Sequence, residues 1–340
     1  MNKVRFLWAV AVMALLAPVL TRADSVSGTL WYTTFSGGAN VWKVDYSFNG
    51  TTFTLNNNSN ITSTNGADGL LFLPNGDLLV AGQGLNVSEV NPNGSGLSAI
   101  VKTANPGNPA FHLALNGSGT LVYSMWNGSG NAQIAATTLT GGGLGAGGVA
   151  YVTSLAGGQS GSTDVRGIIY DPINNTWYYG TAPDGGSGDF GTVVFNDVTH
   201  TATLTPILRN VFAHGLTFDP FTNDIIFSSA NTVSQFNPTT NTIIGNIFGS
   251  GNFDQSAVDG KGHLFVASNS GGLLFVDYDA SKNIGTPTFA TEPFLAGSLD
   301  DIAPLSGAGA PSPVPEPSSL LLLGSGLVGL VRYRKVIFKA

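Results

Sequence analysis

The chain of 340 residues contains no cysteine, 46 glycines and only 10% charged residues, whereas soluble domains usually carry about 25% charge. Its 42% apolar content is enough for a large core and argues against general disorder. The absence of cysteine excludes disulfides, thiol nucleophiles and cysteine zinc sites within this chain. The formal charge of −7 argues against nucleic acid as a partner, because a nucleic-acid binder needs a basic face.

The first 23 residues have the pattern of a secretory signal peptide. Lys3 and Arg5 precede an apolar run over residues 6–20, and small residues then lead to Ala23. The alternative is an N-terminal membrane anchor, but the run is shorter than the roughly 20 residues that a spanning helix needs. We therefore predict that residues 1–23 direct export and are cleaved.

The middle of the chain repeats a hairpin pattern. Residues 71–81 read as a strand, a Pro-Asn-Gly turn and a second strand. Equivalent turns lie at residues 74, 116, 172, 220 and 259, so the spacings are 42, 56, 48 and 39 residues. Repeats of this length are typical of β-propeller blades, each of which is a four-stranded sheet.

The two ends of the repeat region complement each other. Residues 41–45 match a later strand of the unit but lack the hairpin that should precede them, and residues 300–305 supply the missing strand. We therefore predict an all-β, six-bladed β-propeller over residues 24–305, closed by N- and C-terminal strands. A β-helix or a β-sandwich is the structural alternative. In its Asp-Pro and Asn-Gly hairpins this region resembles the NHL and gluconolactonase-like propellers, which implies a shape and no particular activity.

Four ionisable residues occupy one register position, just before the innermost strand of their blades: Asp68, Arg166, His214 and Asp300. In a propeller this position opens onto the central channel, so we expect the four side chains to converge at one channel mouth. Ala110 and Phe253 fill the position in the other two blades. The arrangement predicts a site for a small polar ligand or a metal, with Arg166 as an anion clamp. The alternative is a polar channel rim whose charges pair with one another.

No cofactor is predicted, although carboxylates at the channel mouth would suit calcium. His112 and His263 lie within apolar strand patterns and are predicted to be structural. Neither a Ser-His-Asp arrangement nor a Gly-x-Ser-x-Gly elbow stands out. The tryptophans offer faces on which sugars stack, although a blade tryptophan more often packs between sheets; they are Trp31, Trp42, Trp126 and Trp177.

The C-terminal 27 residues, 314–340, have the pattern of a second targeting segment. A linker over residues 306–313 leads to Val314, Pro315, Glu316 and Pro317, and an apolar stretch then covers residues 318–331. The stretch predicts a short transmembrane helix. The basic residues Arg332, Arg334 and Lys335 follow it and act as a membrane stop that stays on the cytoplasmic side. On these features alone the segment is a tail anchor.

At these residues the chain resembles the PEP-CTERM sorting signal, in which Val-Pro-Glu-Pro precedes a short transmembrane segment and an Arg-rich end. The resemblance implies recognition by an exosortase-type membrane protease, transient anchoring at the inner membrane, and then transfer to the cell envelope or outer surface, or secretion. It also implies an association with exopolysaccharide and biofilm. One departure is that Val336, Ile337 and Phe338 follow the basic cluster.

The sequence thus predicts an exported propeller that binds exopolysaccharide or surface proteins without catalysis. The alternative is a metal-dependent propeller lactonase or hydrolase with its site at the channel mouth. Between Asp24 and Pro317 the chain has 6 basic and 20 acidic residues, a balance of −14. The exported part is therefore far more acidic than the whole chain, which argues further against nucleic acid.

Overall fold

The structure, a computed structural model, describes residues 25–35, 39–64, 66–82, 87–93, 97–98, 110–125, 132–145, 148–181 and 188–311. Contacts divide the chain into two units, Met1–Ala310 and Pro311–Ala340, and the first is described here. The predicted signal peptide and the predicted sorting segment lie outside the described residues. Among the described residues, no helix is both long and apolar enough to cross a membrane.

The described residues form 24 strands and one short 3-10 helix, Ala156–Gly158. The first twelve strands are β1 (Val26–Thr34), β2 (Val41–Phe48), β3 (Phe53–Thr62), β4 (Leu70–Phe72), β5 (Leu78–Val80), β6 (Ser88–Val90), β7 (Leu97–Ser98), β8 (Ala110–Leu115), β9 (Thr120–Met125), β10 (Ala132–Thr138), β11 (Val149–Leu155) and β12 (Val165–Asp171). The others are β13 (Thr176–Thr181), β14 (Gly188–Asn196), β15 (Thr201–Val211), β16 (Leu216–Asp219), β17 (Asp224–Ser229), β18 (Thr232–Asn237), β19 (Thr242–Phe248), β20 (Phe253–Val258), β21 (His263–Ser268), β22 (Leu273–Asp277), β23 (Phe289–Thr291) and β24 (Leu299–Ile302).

The strands pair in antiparallel groups of four, which we call blades. Blade 1 has the order β24-β1-β2-β3, so strands from both ends of the region share one sheet. Blades 2, 5 and 6 are β4 to β7, β16 to β19 and β20 to β23. Blade 3 (β8 to β11) and blade 4 (β12 to β15) join into one eight-stranded sheet through a parallel pairing of β11 with β15. The predicted closure by N- and C-terminal strands is therefore present.

The hairpin turns follow from side-chain chemistry. Asp171 and Asp219 each accept a hydrogen bond from the backbone N–H two residues on, at 2.8 and 3.0 Å. Asn175 and Asn223 then adopt positive φ angles of 50° and 62°, which asparagine tolerates better than most residues. Asx turns of this kind reverse the chain between the first two strands of blades 4 and 5.

The blades pack face to face in a closed ring. One apolar cluster lies between each neighbouring pair of blades, and the cluster between blades 6 and 1 closes the circle. The innermost strands contact one another in the same circular order, β4, β8, β12, β16, β20, β24 and back to β4. This arrangement surrounds a central channel with the first strand of every blade, and it confirms the predicted all-β propeller.

Candidate functional site

Close approach of the innermost strands depends on three glycines. Gly69, Gly167 and Gly215 each follow the residue predicted for the channel mouth in their blade. A Cβ atom on any of them would lie 2.2–2.3 Å from a backbone oxygen of the next blade, namely that of Phe111, His214 or Asp254. Only glycine allows these strands to come so near, and their approach narrows the channel.

The most direct contact at the channel mouth joins His214 to Asp254. The Nδ1 atom of His214 lies 2.6 Å from Oδ1 of Asp254, and Asn269 donates to the other carboxylate oxygen at 3.1 Å. Burial alone would lower the pKa of His214, but the charge and hydrogen bond of Asp254 raise it. Burial likewise opposes the charge of Asp254, yet His214 holds the pKa of Asp254 well below its usual range. Each of the two groups therefore favours the charged form of the other.

His112 occupies the middle of the channel. Its Nδ1 atom lies 3.7 Å from Oδ2 of Asp301 and 3.4 Å from Nε2 of Gln255. Its Nε2 atom lies 3.5 Å from Oδ1 of Asp254 and makes no hydrogen bond. Burial, together with the nearby charge of His214, lowers the pKa of His112 to about 3. The ring is therefore buried and neutral at neutral pH.

Asp300 and Asp301 add two carboxyl groups that are almost fully buried. Burial raises the pKa of each well above its usual value, and the charges of Asp68 and Asp254 raise both further. Oδ2 of Asp300 and Oδ1 of Asp301 have no hydrogen-bond partner. The channel therefore concentrates acidic groups that raise the pKa values of Asp300 and Asp301.

Arg166 is held to one side of the mouth. Its guanidinium binds the Asp164 carboxylate at 3.1 Å and lies 5.7 Å from the centre of the Phe111 ring. The anion-clamp role of Arg166 stays a prediction from the sequence.

The structure brings the four predicted residues close enough to influence one another. Asp68 acts electrostatically on both His214 and Asp300, and Arg166 acts on His214. Asp68, Arg166 and Asp300 are nevertheless buried, while 23% of the His214 side chain is exposed. Three of the four side chains are therefore buried, and a ligand site formed by the four stays a prediction.

Two predicted register positions are wrong. In blade 6 the structure places Asp254, not Phe253, against His214, and in blade 3 His112 enters the channel instead of Ala110. Both innermost strands shift register, between Ala110 and Leu113 and between Phe253 and Ser256. An extra residue at such a bulge turns the following side chains to the opposite face of the strand.

A better alignment of the turns would have found one missed residue. Asp219 and Asp259 begin equivalent turns, and counting back five residues from each gives His214 and Asp254. His112 has no comparable sequence marker, because its apolar neighbours indicate an ordinary strand histidine. The prediction for His263 fits its position in β21, where Nδ1 lies 2.7 Å from Oδ2 of Asp259.

The cluster can hold a metal ion in two overlapping ways. His112, His214 and Asp254 bring one ligand atom each to within 4.8 Å of one another, as do Asp68, His112 and Asp301. Two imidazoles with one carboxylate suit zinc or another transition metal, whereas calcium prefers oxygen ligands alone. Calcium as the preferred ion stays a prediction from the sequence.

The described tryptophans make aromatic contacts of their own. Trp31 lies edge-on to Phe72 at 5.0 Å, and Trp42 stacks on Tyr32 at 6.3 Å. Trp177 contacts Tyr170 at 5.0 Å. Packing therefore accounts for the described three, and Trp126 lies outside the described residues.

Comparisons with known proteins match the C-terminal segment to a family model and most of the chain to solved structures. The family model for the PEP-CTERM protein-sorting motif matches residues 313–335. No curated protein matches the sequence of this chain. Among solved structures, a β-propeller chain from a nidogen/laminin complex has a TM-score of 0.60 and 14% identity, covering 82% of this chain and 98% of that one. A chain of a mitotic checkpoint complex has a TM-score of 0.48 and 11% identity, covering 83% of this chain and 80% of that one.

These similarities support two statements. The nidogen/laminin chain shares the propeller fold, and at 14% identity it carries the fold alone. The C-terminal match shows that residues 313–335 carry a PEP-CTERM sorting motif, which supports export, a C-terminal membrane anchor before sorting, and processing by an exosortase.

Proposed function

We propose that the propeller is a non-catalytic binding module that acts at the cell surface or in the surrounding matrix, with exopolysaccharide or other surface proteins as partners. The observation that carries this proposal is the closed state of the channel mouth. Asp68, Asp254 and Asp300 are buried, and Asp254 is already bonded to His214. A substrate reaching these carboxyl groups would have to open the ring, whereas a large partner needs only the outer surface.

The net charge of the exported region indicates which kind of polysaccharide it can bind. The exported region has a balance of −14 between Asp24 and Pro317. An anionic polymer would be repelled by a domain of this net charge at low salt. A neutral polysaccharide, or a basic surface protein, therefore suits this domain better than an acidic one.

Binding is tested by co-sedimentation of the processed protein with exopolysaccharide from the same organism. We expect the folded protein to enter the pellet and excess soluble polysaccharide to release it, because the contact is specific. The heat-unfolded protein and an unrelated dextran serve as controls. Folded protein that stays in the supernatant at all polymer concentrations would contradict a polysaccharide partner.

The convergence of His112, His214 and Asp254 favours metal-dependent hydrolysis, including lactone hydrolysis, as the second candidate function. A metal held there would lower the pKa of a bound water and polarise a carbonyl group. His214 is the partly exposed member of the set, so it lies nearest to an incoming substrate.

The metal content of the purified protein distinguishes the binding module from the metal-dependent hydrolase. If the second candidate holds, the purified protein contains about one zinc per chain, and His214→Gln reduces this at least tenfold. His200→Gln is the matched control, because His200 is exposed in a turn. If the wild type holds stoichiometric metal and hydrolyses a lactone, and only His214→Gln loses the metal, the hydrolase replaces the binding module as the proposed function. A chain that retains no metal after dialysis against zinc would eliminate the hydrolase.

A further inference from the structure

Three aromatic side chains of the propeller are largely exposed to solvent. Phe35, Phe248 and Phe294 are 54%, 71% and 73% exposed, whereas every other phenylalanine, tyrosine and tryptophan in the described part of the chain is buried or half-buried. Leaving a phenylalanine in water forgoes roughly 1.5–3 kcal/mol of burial. Exposed rings that gather on one face therefore indicate a surface that a partner covers.

The three rings lie at the end of the propeller where His214 is exposed. Each innermost strand begins at this face, and because the four strands of a blade alternate in direction, the outermost strand ends there. Phe248 is the last residue of β19 in blade 5, and Phe294 follows β23 in blade 6. Phe35 follows β1 in blade 1, and its N–H donates to the oxygen of Ser298 at 2.9 Å, in the loop that carries Phe294. The rings thus occupy three neighbouring blades, and we call this surface the aromatic arc.

Hydrogen bonds hold the loops of blades 5 and 6 together. The backbone N–H and the hydroxyl group of Ser250, two residues after Phe248, both donate to Oε2 of Glu292 at 3.0 Å. Glu292 lies two residues before Phe294. Because two residues span at most about 7 Å, the Cα atoms of the two phenylalanines lie within about 20 Å of each other. One extended polymer segment can therefore contact both rings.

The backbone around Phe294 fixes the orientation of its ring. A Cβ atom on Gly271 would lie 2.5 Å from Cε2 of Phe294, so the ring rests directly on the Gly271 backbone. The N–H of Leu295 donates to the Gly271 oxygen at 2.8 Å, and the N–H of Leu273 donates to the Pro293 oxygen at 2.9 Å. Backbone hydrogen bonds therefore hold the residues on both sides of Phe294. A ring that is already ordered loses little conformational entropy when a partner binds.

The chemistry of these loops favours a neutral sugar polymer over other partners. Residues 248–252 and 292–297 contain no lysine or arginine, the residues that attract an anionic membrane or an acidic polymer. The contact that joins the two loops, between Ser250 and Glu292, is polar, whereas the centre of a protein–protein interface is mostly apolar. A pyranose has an apolar face that packs on an aromatic ring, and hydroxyl groups at its rim that suit polar neighbours.

We propose that the aromatic arc binds a neutral polysaccharide, whose sugar rings stack on Phe248 and Phe294 and reach Phe35 as a third contact. This inference rests on the proposed binding function and assigns a site and a type of contact to it. The arc uses none of the ionisable side chains of the channel.

The experiment measures co-sedimentation of the processed protein with the neutral fraction of exopolysaccharide from the same organism, which an anion-exchange resin does not retain. Phe248→Ala and Phe294→Ala should each weaken binding about three- to tenfold, and the double variant should weaken it about tenfold or more. Phe294→Tyr keeps an aromatic ring and should bind within about twofold of the wild type. Because the contact is uncharged, raising the salt from about 0.05 to 0.5 M should change the affinity by less than about twofold.

Ile173→Ala and Val198→Ala are the matched controls. Both side chains are apolar and exposed, at 64% and 91%, but they lie in hairpin turns at the opposite end of the propeller. Their replacement should leave polymer binding unchanged. The Tm of each variant reports whether it folds. If Phe294→Ala does not fold, because its ring packs on Gly271, then Phe248→Ala and the two controls decide the question.

Several outcomes would overturn the proposal. If the wild type and the folded double variant bind the polymer equally, the arc is not the site, and the proposed binding function stands. If the wild type does not bind the polymer, both proposals fail for a polysaccharide partner. Unchanged polymer binding together with loss of binding to phosphatidylcholine vesicles would reassign the arc to a membrane surface. Unchanged polymer binding together with loss of self-association would reassign it to a second copy of the chain.

Discussion

At the residue scale, the channel shows how the burial of a few charges determines their chemistry. His112 and His214 have ring centres 4.8 Å apart, yet the pKa of His112 falls to about 3 while that of His214 rises. Burial acts on both rings in the same direction. Only His214 makes a 2.6 Å contact with Asp254, and this ion pair reverses the effect of burial.

His263 provides a test of this reasoning away from the channel. Burial would lower its pKa, but the hydrogen bond and charge of Asp259 raise it, as do Asp277 and Asp279. A raised folded-state pKa stabilises the fold below the unfolded-state value near 6.5, and this stabilisation is lost as pH rises through the raised pKa. The unfolding free energy of the wild type should therefore exceed that of His263→Gln most at pH 6, and the difference should shrink toward pH 8. The slope is at most about 1.4 kcal/mol per pH unit for one proton.

The measurement is urea unfolding at half-unit steps of pH. His200→Gln is the control for the replacement of a histidine as such, since His200 is exposed in a turn. Parallel curves for wild type and His263→Gln would show that the ion pair with Asp259 adds no pH-dependent stability.

Which residues would meet in the channel was predictable in part. Asp68 and His214 lie just before an innermost strand and Arg166 and Asp300 lie at the start of one, so their shared register was recognisable in the sequence. His112 was missed because a bulge in β8 changes the register by one residue between Ala110 and Leu113. Bulges depend on the packing of neighbouring strands, so a local pattern of residue types does not reveal them.

At the element scale, the innermost strands are constrained by their neighbours more than by their own sequences. In blade 5, a Cβ on Gly215 would lie 2.2 Å from the Asp254 oxygen and 2.7 Å from the Gln255 Cα. These are backbone atoms, which cannot rotate away as a side chain can. The strand must therefore carry glycine at this position if the channel is to stay narrow.

Gly215→Ala should lower the unfolding free energy by about 1–3 kcal/mol or more, since it overpacks a site bounded by backbone. It should also displace Asp254 from His214. Gly297→Ala is the matched control, because a Cβ there has no atom within 4 Å and its effect should stay within about 0.5 kcal/mol. Chemical denaturation measures both variants, and equal stabilities would contradict the close approach of β16 and β20.

The outermost strands of blades 3 and 4 pair with each other, which is a second contact between neighbouring elements. β11 and β15 pair in parallel from Val152 with Thr201 to Leu155 with Leu204. Their pairing covers two strand edges that would otherwise offer unpaired backbone groups to other chains. The spacing of the repeats did not predict this contact, because it joins outermost strands of different units.

At the scale of the whole molecule, ring closure depends on β24. This four-residue strand pairs with β1, with Tyr32 opposite Ile302 and Thr34 opposite Leu299. It also contacts β4 on one side and β20 on the other. Residues beyond it, which the sequence assigns to a linker, pack on the propeller as well, since the N–H of Phe72 donates to the Gly309 oxygen at 2.7 Å.

Truncation tests this dependence. A chain that ends at Ser298 lacks β24, exposes the apolar surfaces of β1 and β20, and should lose its cooperative thermal transition. A chain that ends at Pro311 keeps β24 and should retain the Tm of the full chain within a few degrees. Circular dichroism and dye binding follow both. Cooperative unfolding of the shorter chain would show that the ring is stable without its closing strand.

Three features could be recognised from the sequence by itself. They are the sorting motif at residues 313–335, the repeated hairpins, and the sharing of one blade by both ends of the region. Each of these features depends on residue types at short spacing, so it can be recognised along the chain. The tertiary structure alone decided that His112 meets His214 and Asp254, that most of this cluster is buried, and that the innermost strands line an apolar cavity. Those features arise where six strands from distant parts of the chain converge, and their geometry depends on bulges and on glycines that let neighbouring backbones approach.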